Sequence, residues 1–333
     1  MDRKGNILFL SVGRRGELIK DFKRSLGSGS VLIGADCSPY APALYFADKR
    51  YLVPKIDAPD YIDKVLEICR REGVSAVTTL IDPEIVLLAK ARDRFTAIGV
   101  EVLAPYPETA ELCFDKFKMF RYLREQGIRT VETWGTFEEF LPAYEAGEAA
   151  LPVFVKPRTG SGSVGAHRVD SLEELRSEMS RDPSLIVQEL MDGLDMDADV
   201  YIDTVSRQAV SAFSKRKLES RIGGASKTVS FKDPALFRFI REICSVLEFN
   251  GPVDMDFFYK DGAYYLSEVN PRFGGAYLHA YGAGVDFIKL IEKNLRGEAN
   301  EPRFGDYEEG VVMMMYDSVV IVRPEELESV SPD

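Results

Sequence analysis

Short apolar runs alternate with amphipathic stretches through the first third of the chain. Asn6 to Val12 is an apolar run that ends in the turn Gly13-Arg14-Arg15-Gly16. Leu18, Ile19, Phe22 and Leu26 then recur at helical spacing, and Val31 to Ala35 returns as a strand. Tyr61 to Arg71 reads as helix, Ala76 to Leu80 as strand, and Pro83 to Phe95 as a helix with proline in its first turn. Strands this short, separated by helices, predict βαβ units and a parallel sheet. Such a sheet presents its ligand-facing loops at the strand carboxyl ends, where Arg14 and Arg15 fall.

The pattern changes after Pro105 and Pro107. A helix from Phe114 to Gln126 precedes shorter strands over Val131 to Thr136, Val153 to Lys156 and Leu185 to Leu190. From Ala198 onward longer alternating strands take over: Asp199 to Val205, Ala209 to Leu218, Val253 to Tyr259 and Ala263 to Val269, the last two as a hairpin. A final strand pair is expected over Val311 to Tyr316 and Val319 to Val322. The whole predicts an α/β chain with an N-terminal parallel-sheet domain over residues 1–105 and an α+β unit behind it.

The 333 residues suffice for about two domains. With 45% hydrophobic and 29% charged residues, disorder, collagen and coiled coil are excluded. The 54 acidic residues outnumber 42 basic ones, and a net charge of −12 argues against nucleic acid as a partner. Four scattered cysteines and two histidines support neither a disulfide framework nor a zinc site. No run approaches the roughly 20 apolar residues that span a bilayer. The apolar run behind the basic start is too short for a signal-peptide core. A cytoplasmic location with reduced thiols is the expectation.

Three motifs carry candidate chemistry. Val153 to Thr159 leads into Gly160-Ser161-Gly162-Ser163-Val164-Gly165. Ala166-His167 follows where a Walker A loop would need Lys-Ser/Thr, and His167 to Val169 reads as a returning strand where a Rossmann fingerprint opens a helix. What remains is a glycine hairpin with Lys156 just ahead of it, whose backbone N–H groups can cover phosphates. Read alone, the same run is a surface hairpin. Further on, Asp254 and Asp256 share one strand face, and Glu268 and Asn270 share another. A three-residue loop, Lys260-Asp261-Gly262, would pair Asp254 with Glu268 and align all four. A two-residue loop, Asp261-Gly262, would pair Asp256 with Ser267 and turn Glu268 away. The expectation is the three-residue loop. Carboxylates and an amide converging this way suit Mg²⁺. Next, Asn270-Pro271-Arg272-Phe273-Gly274-Gly275 leaves the strand abruptly, with Arg272 placed to clamp a phosphate oxygen.

In that order, Val155-Lys156-Pro157, the glycine loop, Asp256 and the run from Glu268 to Gly275 resemble the ATP-grasp superfamily. Within it, the chain looks like the branch with carbamoyl-phosphate synthase large-subunit modules and related carboxylate–amine ligases. The resemblance covers nearly the whole chain. It implies a pre-ATP-grasp domain over 1–105, then an ATP-grasp fold of two subdomains. The smaller, 106–188, holds the glycine loop, and the larger, 189–333, the metal site. The resemblance further implies that Lys116 and Lys156 contact ATP phosphates and that Ser161, Gly162, Ser163, Val164 and Gly165 form a closing loop. Gln188, Glu189, Leu190 and Met191 would hold adenine, and Asp195 falls where many members place a ribose-binding glutamate. Asp256, Glu268 and Asn270 would ligate Mg²⁺ or Mn²⁺, with Lys156 and Arg272 acting on the transferring phosphoryl group.

The implied activity is an ATP-dependent ligase that activates a carboxylate as an acyl phosphate for an amine-type nucleophile. Its partners would be small-molecule carboxylates and amines, neither nucleic acid nor membrane, with a homodimer allowed. A carbamate- or bicarbonate-activating enzyme and a non-catalytic ATP-binding protein are the alternatives. A substrate-carboxylate role suits Arg14, Arg15 and Arg221, whereas His167 and His279 read as structural or surface residues.

Overall fold

The computed structural model describes residues 5–160, 165–221 and 224–329. Five strands, β1 (Ile7–Leu10), β2 (Leu32–Asp36), β3 (Lys49–Leu52), β4 (Ala76–Thr79) and β5 (Glu101–Val102), form a parallel sheet in the order β3-β2-β1-β4-β5. β1 is buried on both faces. Ile7 and Phe9 join one core with Leu18, Ile19 and Phe22 of α1 (Gly16–Ser25). Leu8 and Leu10 join another with α2 (Tyr61–Glu72) and α3 (Asp82–Lys90). Helices on both sides are what a parallel sheet requires, and they explain the continuous apolar runs. The helix predicted over 83–95 is broken at Ala91 into α3 and α4 (Arg92–Thr96). Arg92 turns back there to the carbonyl oxygens of Val102, Ala104 and Pro105.

α5 (Pro107–Phe114), which the spacing does not predict, precedes α6 (Lys116–Glu125), the helix that it does predict. Asp115 between them is extended, and its carboxylate accepts the Lys118 N–H (3.0 Å), capping α6. Next comes a small antiparallel sheet of β6 (Thr133–Trp134), β7 (Val153–Pro157), β8 (His167–Val169) and β9 (Leu185–Glu189), in the order β6-β9-β7-β8. α7 (Phe137–Glu145) and α8 (Leu172–Arg181) pack on it around Phe140, Val155 and Leu175.

The largest sheet comprises β10 (Leu194–Ile202), β11 (Ala209–Arg221), β12 (Gly224–Phe231), β13 (Gly251–Lys260), β14 (Ala263–Asn270), β15 (Arg303–Phe304) and β16 (Val312–Met314). Its order is β14-β13-β10-β11-β12-β16, with β15 on β11. α9 (Pro234–Val246), α10 (Tyr277–Gly282) and α11 (Phe287–Leu295) share its core. Of the strand pair expected near the end, only β16 forms; Val319 and Ile321 stay exposed, with no strand over 319–322. A last helix, α12 (Pro324–Glu328), follows. The parallel-sheet domain docks on the large one through an aromatic stack: Phe9 on Phe22 (4.7 Å), Phe22 on Phe273 (4.5 Å) and Phe273 on Tyr277 (4.9 Å). Among the described residues, no helix is long and apolar enough to cross a membrane.

Candidate active site

The β13–β14 hairpin turns through two residues. Asp261 (φ 51°) and Gly262 (φ 79°) both adopt left-handed conformations, the arrangement an Asp-Gly hairpin turn favours. Lys260 pairs with Ala263, and the register runs unbroken to Phe257 opposite Leu266. Continued, it would put Asp256 opposite Ser267 and turn Glu268 away. A bulge at Ser267 intervenes instead. Beyond it Asp256 pairs with Glu268, and Asp254 with Asn270. The three-residue loop is therefore corrected, as is the Asp254–Glu268 pairing. All four side chains still reach one face, because the bulge supplies the extra residue.

Two lysines arrive at this face from other elements. The cap on α6 positions Lys116: Asp115 also accepts from Arg158 Nε (2.7 Å), and the Lys116 N–H donates to Arg158 O (3.0 Å), tying α6 to the end of β7. Lys116 Nζ then donates to Gly160 O (2.5 Å) and stands 3.8 Å from Glu268 Oε1. Lys156, on β7, is buried. Burial pushes its pKa down, Glu268 pulls it up and Lys116 opposes it, which puts all three groups in one electrostatic unit. Gly160 carries a φ of 101° at the mouth of the glycine loop. Ser161, Gly162, Ser163 and Val164 lie outside the described residues.

Beneath these groups lies a buried charge network. Asp195, Asp197 and Asp199 alternate along β10, and Lys215 and Lys217 along β11. Lys215 is fully buried between Asp197 (2.8 Å) and Asp199. Burial opposes its charge, but the aspartates outweigh that and raise its pKa. Lys217 spans Asp195 (2.9 Å) and Asp256 (2.5 Å). Asp254 is forced well above the usual carboxylate range, by burial first and then by Asp197, Asp256 and Asp199. Gly274 presses against it: a Cβ there would stand 2.8 Å from Asp254 Oδ1 and 2.9 Å from Asp199 Oδ1. Sequence reasoning misses this network. Its signal is the period-two alternation of charge with Met196, Ala198 and Val200.

The remaining candidates are spread around this centre. Gln188 donates to Thr133 Oγ1 (3.0 Å) inside the small sheet, and Glu189 accepts from Lys260 (3.3 Å). Leu190 and Met191 follow, half-buried, outside the strand. Arg272 is buried in a two-point pair with Asp82 of α3, Nε to Oδ1 at 2.7 Å and Nη2 to Oδ2 at 2.9 Å. Arg14 is exposed, and Arg15 Nη1 donates to Phe273 O (2.9 Å). Arg221 is exposed at the end of β11 and pairs with Glu219 (3.3 Å). His279 is buried between Thr228 Oγ1 and Val311 O, and burial lowers its pKa to about 4. His167 pairs with Glu178 on the surface (2.7 Å). Among the described residues, no three His, Cys, Asp or Glu side chains form a ready-made metal cluster. Two carboxylates and an amide, Asp256, Glu268 and Asn270, are what this face offers a cation.

Residues 113–276 match the ATP-grasp domain family, so the chain carries an ATP-grasp domain. Residues 7–103 match the PylC-like N-terminal domain family, which places a PylC-like domain ahead of the grasp. A D-alanine–D-alanine ligase of Streptomyces griseus is 25% identical over 172 residues, 44% of this chain and 44% of that one. The carbamoyl phosphate synthase large chain of Thermomicrobium roseum is 25% identical over 248 residues, 68% of this chain and 22% of that one. The chain thus spans less than half the length of these curated relatives. Among solved structures, the N5-carboxyaminoimidazole synthetase of Staphylococcus aureus complexed with ADP superposes with a TM-score of 0.74 at 15% identity. That match covers 94% of this chain and 83% of the other, and shows a shared fold.

Proposed function

We propose that the chain is an ATP-dependent ligase. The γ-phosphoryl group of ATP passes to a substrate carboxylate, and an amine-type nucleophile attacks the resulting acyl phosphate and releases phosphate. The observation that carries this reading is the meeting of Lys116, Lys156, Asp256, Glu268 and Asn270, from four separate elements, beside Gly160. The ATP-grasp match and the ligase and synthase names of the relatives support it.

In this reading the chain works as three parts, 1–105, 106–188 and 189–333. Lys116 and Lys156 neutralise phosphate oxygens beside Gly160. The adenine lies along Gln188 to Met191, and Asp195 faces the ribose. Because the Gln188 amide is committed to Thr133, the backbone of Glu189 to Met191 does most of the recognition. Asp256, Glu268 and the Asn270 amide oxygen fit Mg²⁺, or Mn²⁺, which takes a few protein oxygens and fills its shell with water and phosphate oxygens. When bound, the metal withdraws charge from the phosphoryl group. Lys217 must yield Asp256 as the cation arrives. Arg272 adds positive charge from the Asp82 side. No protein nucleophile is required; catalysis is positioning and charge neutralisation. The test is ADP formation with Mg²⁺ across candidate acids and amines. Acid-dependent turnover specific for ATP is expected, and equal affinity for all four nucleoside triphosphates contradicts the reading.

A further inference from the structure

The loop after β1 presents a cation that, among the described residues, makes no ion pair with a carboxylate. Arg15 Nη1 and Arg272 Nη1 both donate to the Phe273 carbonyl, at 2.9 and 3.0 Å, so two guanidinium groups crowd one backbone oxygen. Asp82 holds Arg272 by one hydrogen bond, Nη2 to Oδ2, and one ion contact, Nε to Oδ1. Among the described residues Arg15 has no carboxylate ion-pair partner, although Asp82 and Asp254 lie near enough to act on it electrostatically. A half-buried guanidinium with one hydrogen bond has donors to spare.

The loop holding it is rigid. Ser11, at φ 50°, donates its hydroxyl to Glu84 (2.7 Å); the Gly13 N–H donates to Asp36 (2.9 Å); the Ala43 N–H donates to Gly13 O (3.1 Å). Glu84 is itself fully buried and also accepts from the Tyr61 and Thr79 hydroxyls. Arg15 is therefore held in place before any ligand arrives, which lowers the cost of binding one. It stands where strand order reverses between β1 and β4, the usual ligand position of an open parallel sheet. From Asp82, just past β4, a narrow crevice runs by Cys113 and Pro271 to Asn270, Glu268 and Gly160. Arg15 itself does not line this crevice; the end nearest to it is Asp82, which acts on Arg15 electrostatically and pairs with Arg272.

The geometry points to an oxyanion subsite in which Arg15 receives a carboxylate of the acceptor substrate at the switch point of the parallel sheet. This rests on the ligase reading for what happens at the other end of the crevice. A free guanidinium fork matches a carboxylate at two points, and Arg15 acts there as the specificity determinant.

The test is binding to the full chain, followed by saturation-transfer NMR and calorimetry with acetate, L-alanine, L-aspartate, succinate and inorganic phosphate. At least one carboxylate is expected to bind the wild type. Arg15→Met should weaken it roughly ten- to hundredfold, the range for a lost charged hydrogen-bond pair, with MgATP affinity unchanged. Arg15→Lys should fall between, since it keeps the charge and loses the fork. Binding of phosphate without any carboxylate supports the oxyanion site and assigns the anion to a phosphate-bearing substrate. Undiminished carboxylate affinity in Arg15→Met overturns the inference, as does a wild type that binds none of the five probes. Should Arg15→Met fail to fold, undiminished affinity in Arg15→Lys overturns it equally. A wild type that binds carboxylate but not MgATP defeats the ligase reading and leaves the subsite standing.

Discussion

Lys156 and Glu84 are both buried ionisable groups; burial works against the charged form of each, and at Lys156 alone a neighbouring carboxylate, Glu268, opposes it. At Lys156 the ammonium is kept in a water-poor site beside Glu268, where a fixed cation needs no reorganisation as charge develops. Lys156→Ala is expected to lower ADP formation by about a hundredfold or more with an unchanged circular dichroism spectrum; a wild-type rate contradicts its role. At Glu84 burial raises the pKa from 4.5 to about 8. The folded chain then holds a proton that the unfolded chain releases above about 4.5. The stability this group contributes is complete below pH 4.5 and is lost as pH rises toward 8. Glu84→Gln keeps a neutral polar side chain without the titration. The wild type should therefore lose Tm relative to the variant as pH rises from 4.5 to 8, and a constant difference across that window contradicts the assignment.

At the scale of elements, the β13–β14 hairpin decides whether the site exists. Inserting one alanine between Ser267 and Glu268 should flip Glu268 and Asn270 to the other face and abolish Mg²⁺-dependent turnover. One residue inserted between Asp261 and Gly262 only lengthens the loop and should leave turnover within a fewfold of wild type. Equal effects would show that register does not set the site. This hairpin also marks how far the sequence could be read. The i, i+2 spacing of Asp254/Asp256 and Glu268/Asn270 announces two co-facial pairs, but nothing in Leu266-Ser267-Glu268 announces a bulge. The start of β10 at Leu194 is hidden for a related reason. Asp195 and Asp197, ahead of the predicted strand start at Asp199, look like loop residues until Lys215 and Lys217, on the neighbouring strand, neutralise them. The apolar run over 319–322 misleads in the opposite direction, having strand composition without a strand to pair with.

Across the whole molecule, Asp82 and Arg272 join the parallel-sheet domain to the end of β14. Both are buried, so Asp82→Asn removes the nearer carboxylate of the guanidinium and leaves Asp254 at 3.9 Å; breaking a buried pair costs about 3–5 kcal/mol. Denaturant unfolding should show that loss; a variant within 1 kcal/mol of wild type, on the same scale of about 1.4 kcal/mol per tenfold, would mean the pair does not couple the domains. Asp82 also lines the crevice that leads to Asn270, Glu268 and Gly160, so domain docking and the candidate site share a residue. A crystal structure with MgADP tests the central claim most directly. The adenine should lie beside Leu190 and Met191, the phosphates between Lys116 and Lys156, and the metal against Asp256, Glu268 and Asn270. Nucleotide bound elsewhere, or Glu268 and Asp256 on opposite faces of the sheet, would contradict it.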